Sequence, residues 1–264
     1  MRIALGIEYA GTPFNGWQSQ PDGRGVQDVL ESALAAIAGE SVRAAAAGRT
    51  DAGVHAAMQV VHFDTTAARP ASAWVRGTNS GLPPEIAVQW AQPVADEFHA
   101  RFAAQARHYT YLLANCPVRP AILAGRIGWY HRRLDVAAMR DGAAALIGTH
   151  DFSAFRAAMC QARSPVKTLA RAEVTAQGEC IRFEFSANAF LHHMIRNIVG
   201  ALIRVGVGNA PPAWIGELLA GRDRTRAAAT FAAAGLYLTG ADYDPQWQLP
   251  GTRARVQLPL LPAR

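Results

Sequence analysis

The residues best suited to chemistry lie in one short, glycine-bounded segment, residues 48–56. It places a single carboxylate, Asp51, among small residues, with Arg49 two positions earlier. Gly48 and Gly53 let the backbone turn and let a ligand approach closely. In an extended segment Arg49 and Asp51 share a face, and a nearby cation keeps a carboxylate ionised. The segment predicts that Asp51 is a catalytic carboxylate, although an ordinary Asp-Gly-type turn closed by a surface Arg–Asp pair fits the same residues.

The eight histidines suggest a second chemistry, metal binding, above all at His192 and His193. Adjacent side chains on a helix point about 100° apart, which suits a shared ion poorly, and the chain has no His-Glu-x-x-His motif. Cys116, Cys160 and Cys180 include no Cys-x-x-Cys pair, which argues against a zinc knuckle and a disulfide framework. The sequence therefore predicts no metal site and favours a reducing, cytoplasmic setting.

The formal charge of +6 is unevenly distributed along the 264 residues. Residues 1–104 contain seven arginines against ten acids, whereas residues 105–264 contain eighteen arginines and Lys167 against ten acids. Guanidinium groups bind phosphate oxygens in pairs and stack on bases, so the second half predicts a polyanionic partner. The candidates for backbone contacts are Arg101, Arg107, Arg156, Arg163 and Arg171.

No stretch of the sequence predicts a membrane segment or a signal peptide. Glu8 interrupts the first apolar residues too early for a signal-peptide core. No uncharged apolar run is long enough to cross a bilayer. We expect a soluble globular protein.

The elements that must position these residues follow from hydrophobic periodicity. Residues 2–9 alternate as a half-buried strand, and apolar residues recur at helical spacing from Val26 to a stop at Gly39. A short strand near Val42, a strand over residues 58–63, a helix capped by Ser72 and a strand over residues 86–90 complete the order β-α-β-β-α-β.

The second half predicts a similar order of elements. It begins with a strand over residues 107–113 and a helix capped by Asp135 that reaches Ile147. Strands over residues 168–175 and 180–186 then turn at Gly178. The remaining elements are a helix capped by Asn188, an extra helix over residues 214–219, a strand over residues 236–243 and a surface tail from about residue 245.

These elements predict an α+β protein with two split-βαβ domains, similar to ferredoxin-like and RRM-like folds. We expect an N-terminal domain over residues 1–104 that carries the Asp51 loop and a basic C-terminal domain over residues 105–264. Their antiparallel sheets are expected to form a central cleft.

Six blocks of the chain, in order and over nearly its whole length, resemble the TruA family of tRNA pseudouridine synthases. The signature block is Arg49-Thr50-Asp51-Ala52-Gly53-Val54-His55. The others are residues 9–20 around Phe14-Asn15-Gly16-Trp17-Gln18, Phe98-His99-Ala100-Arg101-Phe102 with Arg107-His108-Tyr109-Thr110-Tyr111, His150-Asp151-Phe152-Ser153-Ala154-Phe155-Arg156, Ala187-Asn188-Ala189-Phe190 leading into Met194-Ile195-Arg196-Asn197-Ile198-Val199-Gly200, and Gly235-Leu236-Tyr237-Leu238.

This resemblance implies the pseudouridine synthase fold and isomerisation of uridine to pseudouridine at positions 38–40, on the 3′ side of the tRNA anticodon stem-loop. It implies no cofactor and no metal. We expect a homodimer, since a small two-domain protein that recognises a whole tRNA gains from two basic surfaces. Asp51 would be the catalytic carboxylate and Arg196 its ion-pair partner. Tyr109 would pack on the flipped uracil, and Leu236 would form an apolar wall beneath it. We assign Arg49 to a phosphate or base contact.

Each of these residues also has a plainer interpretation. Tyr109 could be a core tyrosine paired with Tyr111, Arg196 could solvate the outer face of its helix, and Leu236 could be ordinary core. His55, His150 and His193 could line an RNA surface or be structural. At the level of function, the alternatives are a non-catalytic RNA-binding protein with two RRM-like sheets and a nucleoside hydrolase that releases the base.

Overall fold

The computed structural model describes residues 1–256. The described chain divides into two compact units, the first formed by Met1–Arg107 with Tyr237–Val256 and the second by His108–Leu236. The closing strand and the described part of the predicted tail thus belong to the first unit, whereas the sequence suggested two contiguous domains. Residues 257–264 of that tail lie outside the described residues.

The first unit is built on a sheet with strand order β4-β1-β3-β10, in which β2 also pairs with β3. Its elements are β1 (Arg2–Tyr9), α1 (Val26–Ala38), β2 (Ala45–Ala46), β3 (His55–Asp64), a π-helical turn (Ala73–Gly77), α2 (Thr78–Gly81), β4 (Ile86–Val94) and β10 (Leu236–Asp242). Strand β1 runs antiparallel to β3 and β4, whereas β10 runs parallel to β3 with Tyr237 opposite His55. The predicted β-α-β-β-α-β order is confirmed.

Local sequence explains most of these elements. Helix α1 ends where Gly39 takes a left-handed conformation, φ 73°, and donates its N–H to the Ala35 carbonyl, as predicted. The expectation at Ser72 was wrong, because Ser72 is itself helical and its side chain makes no cap hydrogen bond. The strand expected near Val42 begins three residues later, at Ala45.

The second unit has the strand order β5-β9-β8-β7, with β6 beside β5. Its elements are β5 (Ala106–Asn115), β6 (Gly128–Tyr130), α3 (Val136–Ala144), β7 (Gly148–Asp151), β8 (Val166–Gln177), β9 (Cys180–Ala187), α4 (Met194–Gly206) and α5 (Trp214–Gly221). Strands β8 and β9 form the predicted hairpin, in which Gln177 pairs with Cys180 and Gly178 has φ 57°. The α+β class predicted for the chain is confirmed.

Two helix boundaries differ from the prediction. Asp135 caps α3 by accepting from the Ala138 N–H, but the helix ends at Ala144, so Ile147 lies beyond it. Asn188 does not cap α4. Its side-chain oxygen accepts from the Thr168 N–H and ties β9 to β8, and α4 begins only at Met194. The helix is late because His193, its N-cap, has a left-handed backbone with φ 61°.

Within residues 1–256, no helix combines the length and the apolarity that crossing a membrane requires.

Candidate active site

Asp51 lies in a tight turn that leads into β3. The Val54 N–H donates to the Asp51 carbonyl at 3.1 Å, and Gly53 has φ 75°, so the turn needs the glycine at this position. The Asp51 residue is intermediate in exposure, between Thr50, which is buried, and Ala52, which is exposed. A fixed backbone therefore holds a carboxylate that solvent and a ligand can reach.

Arg49 is exposed and makes no ion pair among the described residues. The plainer interpretation of the segment was a turn closed by an Arg49–Asp51 pair. The turn exists, but that pair does not form. The guanidinium of Arg49 is instead available to a ligand.

The end of β1 and the segment that follows it contact the residue before Asp51. The buried Tyr9 hydroxyl and the Thr50 hydroxyl are 2.8 Å apart, and the Trp17 N–H donates to the Thr50 carbonyl at 3.0 Å. Burial raises the pKa of Tyr9, so its hydroxyl stays neutral and bonded. These contacts fix the backbone on the N-terminal side of Asp51.

Two glycines allow this close support. A Cβ on Gly11 would lie 1.9 Å from the Val54 carbonyl oxygen, and one on Gly16, where φ is +91°, would lie 2.7 Å from the Thr50 carbonyl oxygen. No real Cβ tolerates the first distance, and the second requires movement of backbone. These contacts supply the physical reason for Gly11 and Gly16 in the sequence block of residues 9–20.

His55 at the start of β3 is a structural residue. It is fully buried, its Nδ1 accepts from the Gly11 N–H at 3.0 Å, and its ring stacks on Tyr237 with centroids 4.6 Å apart. His55 therefore cannot line an RNA surface, and it instead links the C-terminal end of the Asp51 loop to β10.

Arg107 also supports this loop rather than an RNA backbone. Its Nε and Nη2 donate to the Ala47 carbonyl at 3.2 and 3.0 Å, its Nη1 donates to Ala104, and Nη2 also donates to Arg101. Ala47 precedes the Asp51 segment by one residue. The guanidinium thus joins the strand that enters the loop to the turn that precedes β5.

Tyr109 lies in β5 of the second unit and is 8% exposed. The ring of Phe190 meets it edge to face, with centroids 5.1 Å apart. The plainer interpretation paired Tyr109 with Tyr111. The Tyr111 hydroxyl instead donates to the Ala232 carbonyl at 2.9 Å. The Tyr109 ring is therefore oriented by Phe190.

Arg196 does not solvate an outer helix face. Helix α4 is buried on nearly every side, and Arg196 itself is only partly exposed. Its Nε donates to the Phe231 carbonyl at 2.9 Å, and its charge opposes the rise in the pKa of Tyr111 that burial causes. The guanidinium is held between α4 and the segment that leads to Leu236.

A polar cluster on the buried Asn197 holds that segment in place. The Asn197 Oδ1 accepts from Arg224 Nη2 at 3.1 Å and from the Thr230 hydroxyl at 2.7 Å, while its Nδ2 donates to the Phe155 carbonyl. Arg224 also donates to the Ala228 carbonyl. Sequence reasoning missed this cluster, although a polar residue directly after Arg196 in an otherwise apolar helix was a usable signal.

Leu236 is 4% exposed and begins β10. The Gly235 carbonyl beside it accepts from the Leu112 N–H at 2.8 Å, and a Cβ on Gly235 would lie 2.3 Å from the Leu112 carbonyl oxygen. Gly235 therefore sets how closely Leu236 approaches β5. Asp51 and Arg49 belong to the first unit. Tyr109, Arg196 and Leu236 belong to the second unit, in which Leu236 is the last described residue.

Three of the arginines proposed for phosphate contact are used within the protein. Besides Arg107, Arg156 donates to the Cys160 and Ala162 carbonyls, and Arg171 pairs with Glu173 and Glu184 at 2.7 and 2.8 Å. Arg101 and Arg163 are exposed and make no ion pair within residues 1–256. Among the five, only these two have guanidinium donors that make no hydrogen bond or ion pair within residues 1–256.

Comparison with known proteins gives consistent matches. The family model described as tRNA pseudouridine synthase matches residues 6–103 and 143–244. The tRNA pseudouridine synthase A of Thiobacillus denitrificans is 60% identical over 255 residues, which are 97% of this chain and 98% of the relative. That of Chromobacterium violaceum is 61% identical over 251 residues, 95% of this chain and 96% of the relative. A chain of a Cbf5-Nop10-Gar1 crystal structure aligns with 89% of this chain and 48% of its own length, at 12% identity and a TM-score of 0.35. A score this low supports no inference about fold.

Proposed function

Since this chain belongs to the tRNA pseudouridine synthase family, we propose that it converts uridine to pseudouridine at positions 38–40, on the 3′ side of the tRNA anticodon stem-loop. Membership makes the protein an isomerase that acts on tRNA. The positions are the part that we propose, and they follow from the resemblance of the six sequence blocks.

The observation that best supports a catalytic role is the setting of Asp51. Its turn is fixed by Gly53, by the Tyr9–Thr50 hydroxyl contact and by the close approach of Gly16, yet the residue remains partly exposed. A carboxylate that serves only in a surface turn does not need support from three directions. A catalytic one does, because small displacements reduce rates strongly.

The reaction needs a carboxylate but no net oxidation. The bond from ribose C1′ to uracil N1 breaks, a bond from C1′ to C5 forms, the proton at C5 leaves, and N1 gains a proton. Asp51 acts as a nucleophile toward the sugar or the ring, or as a base at the sugar. All non-hydrogen atoms of the uridine are retained and one proton is lost while another is gained, so the product is an isomer and the reaction needs no oxidant or reductant.

We assign the remaining site residues to holding the uridine. Tyr109 presents an aromatic face, on which a base can rotate without leaving because stacking tolerates many in-plane orientations. Leu236 supplies an apolar surface for the ring, and Arg196 supplies positive charge to the site. The exposed guanidinium of Arg49 binds a phosphate or a base of the RNA.

The partner is therefore a tRNA anticodon stem-loop, bound by a homodimer in the cytoplasm. Two copies of a basic chain present more cationic surface to one folded RNA than a single copy does. We propose no membrane partner.

Tritium placed at uracil C5 of tRNA tests the reaction directly. We expect the wild type to release tritium while the base stays attached, and Asp51→Asn to abolish release while tRNA binding persists. Asp141→Asn, which changes an exposed acid of α3, is the matched control and should release tritium normally. A tRNA without uridines at positions 38–40 should release none.

Other outcomes would assign a different function. Free uracil in the product would identify a nucleoside hydrolase, and binding without tritium release from any tRNA would identify a non-catalytic RNA-binding protein. Release from uridines outside positions 38–40 would retain the reaction and reject the proposed site on the tRNA.

A further inference from the structure

The turn between β4 and β5 carries an unusual exposed aromatic residue. Phe102 is 75% exposed, although Phe98 and Ala100 of the same turn are fully buried. Exposed apolar residues are common, but a phenylalanine on a rigid support is a natural contact for another flat ring.

The carbonyl groups of the turn are bonded by side chains from several parts of the first unit. Arg2 donates to the Phe98 carbonyl at 2.7 Å, the Tyr243 hydroxyl donates to Ala100 at 2.6 Å, and Arg107 donates to Arg101. The ring nitrogen Nδ1 of His99 accepts from the N–H groups of Arg101 and Phe102, at 3.1 and 3.4 Å. The backbone beneath Phe102 is thus fixed before any ligand binds.

The side chains around Phe102 suit a nucleotide. The His99 ring lies 4.2 Å from the Phe102 ring, centroid to centroid, and the Arg101 guanidinium lies 5.6 Å from its centroid. Arg101 makes no ion pair among the described residues. The pKa of Arg2 is raised mainly by its hydrogen bond to Asp64 and more weakly by the charges of the two acids of this turn, Asp96 and Glu97.

The position of the turn also matters. One Nη2 atom of Arg107 bonds both the Arg101 carbonyl and the Ala47 carbonyl, and Ala47 is four residues before Asp51. Four extended residues span at most about 14 Å. The exposed ring therefore lies within the reach of an RNA stem-loop that contacts the Asp51 loop.

We propose that His99, Arg101 and Phe102 form a stacking subsite for an unpaired base of the RNA substrate. The base packs on the Phe102 ring, and Arg101 binds a flanking phosphate. This subsite rests on the proposed function for the identity of its ligand. It adds a contact that is separate from the residues assigned to the reacting uridine.

The test is binding of unmodified tRNA to the full-length protein carrying Phe102→Ala, Phe102→Leu or Phe102→Trp. Loss of one stacked base weakens binding between about fivefold and about 150-fold. We expect this loss for alanine and leucine and recovery for tryptophan, because leucine keeps apolar area but no π-face. Ile122→Ala, which removes a residue 93% exposed in a loop of the second unit, is the control and should leave the Kd unchanged.

The salt dependence separates the two roles within the subsite. Phe102→Ala should leave the slope of log Kd against log salt unchanged, whereas Arg101→Gln should reduce it by roughly 0.7 to 0.9. Wild-type affinity for Phe102→Ala, or equal affinity for the leucine and tryptophan variants, would overturn the subsite. So would dissociation of a wild-type dimer by Phe102→Ala, since the ring would then face a second copy.

The same protein preparations distinguish this failure from failure of the proposed function. If the wild type releases tritium from positions 38–40 but Phe102→Ala binds normally, only the subsite is wrong. If the wild type binds tRNA without releasing tritium, and the alanine and leucine variants of Phe102 still bind more weakly than the tryptophan variant, the subsite stands and the proposed reaction fails.

Discussion

Replacing Gly16 by alanine tests whether the Asp51 loop depends on the turn beneath it. A Cβ on Gly16 would lie 2.7 Å from the Thr50 carbonyl oxygen and 3.1 Å from the Asp51 carbonyl carbon. Ordinary contacts begin at 3.4 Å, so either the turn or the loop must move by 0.7 Å, the difference from 2.7 Å. Both neighbours are backbone atoms, which cannot rotate away as a side chain can.

The expected effects on stability and on rate differ in size. An alanine forced into left-handed backbone costs about 1–2 kcal/mol in the free energy of unfolding. A displacement of about 1 Å at a catalytic group reduces the rate by about 100-fold, so a somewhat smaller shift predicts a loss in kcat between about tenfold and about 100-fold.

Gly23 provides the matched control. It has φ +66°, and a Cβ there would meet no atom within 4 Å. Gly23→Ala therefore carries a similar backbone cost without pushing on the Asp51 loop. We expect Gly23→Ala to lose only the backbone cost, Gly16→Ala to lose more stability because its Cβ also displaces backbone, and only Gly16→Ala to lose most of its rate.

Single-turnover tritium release with enzyme in excess, combined with urea unfolding, gives both quantities. Rates are corrected for the folded fraction at the assay temperature. Equal corrected rates for Gly16→Ala and Gly23→Ala would refute the argument that this turn positions Asp51.

Two further predictions concern the polar cluster and the response to acid. Arg224→Ala removes hydrogen bonds to Asn197 and Ala228, so we expect it to lower the free energy of unfolding by about 1–3 kcal/mol in urea unfolding and to lower kcat/KM for tRNA in turnover assays. The control is Arg226→Ala, which changes a neighbouring exposed arginine and should alter neither quantity. Burial lowers the pKa of His62 to about 4, so only the unfolded chain gains a proton at this residue between pH 6.5 and 4. The free energy of unfolding should therefore fall as the pH decreases through this window, by up to about 3 kcal/mol from this residue. Urea unfolding at a series of pH values should show a shallower fall for His62→Gln. The same pH dependence in His62→Gln and the wild type would contradict the assignment.

Elements governed by local chemistry were predictable from the sequence. Residues 2–9 alternate without a break, and they form β1 with the expected bounds. Gly39 ends α1 because glycine enters the left-handed region without strain. Asp135 and Ser72 were equally good cap candidates by type, yet only Asp135 has extended backbone, which a capping side chain requires.

Elements decided by tertiary contacts were not predictable. Asn188 carries the sequence signal of a helix cap, but its side chain bonds β8, which lies twenty residues earlier in the chain. His193 takes left-handed backbone without being glycine, a conformation that propensity disfavours. Similarly, the last strand of the chain joins the sheet of the first unit through its pairing with β3, and no local pattern specifies that partner.

The arginines show the same limit at the level of function. Charge counted along the sequence treats every guanidinium as available to RNA, but a guanidinium binds whichever acceptors the fold presents to it first. Arg107 lies where the Ala47, Arg101 and Ala104 carbonyls converge, so its donors are taken up within the chain. Arg101, in the same sequence block as Arg107, lies over the Phe102 ring and has no carboxylate partner within residues 1–256. Arg101 and Arg107 have the same side chain and lie six residues apart. Arg107 supports the Asp51 loop because backbone carbonyls lie within reach of its guanidinium, whereas the guanidinium of Arg101 can bind RNA.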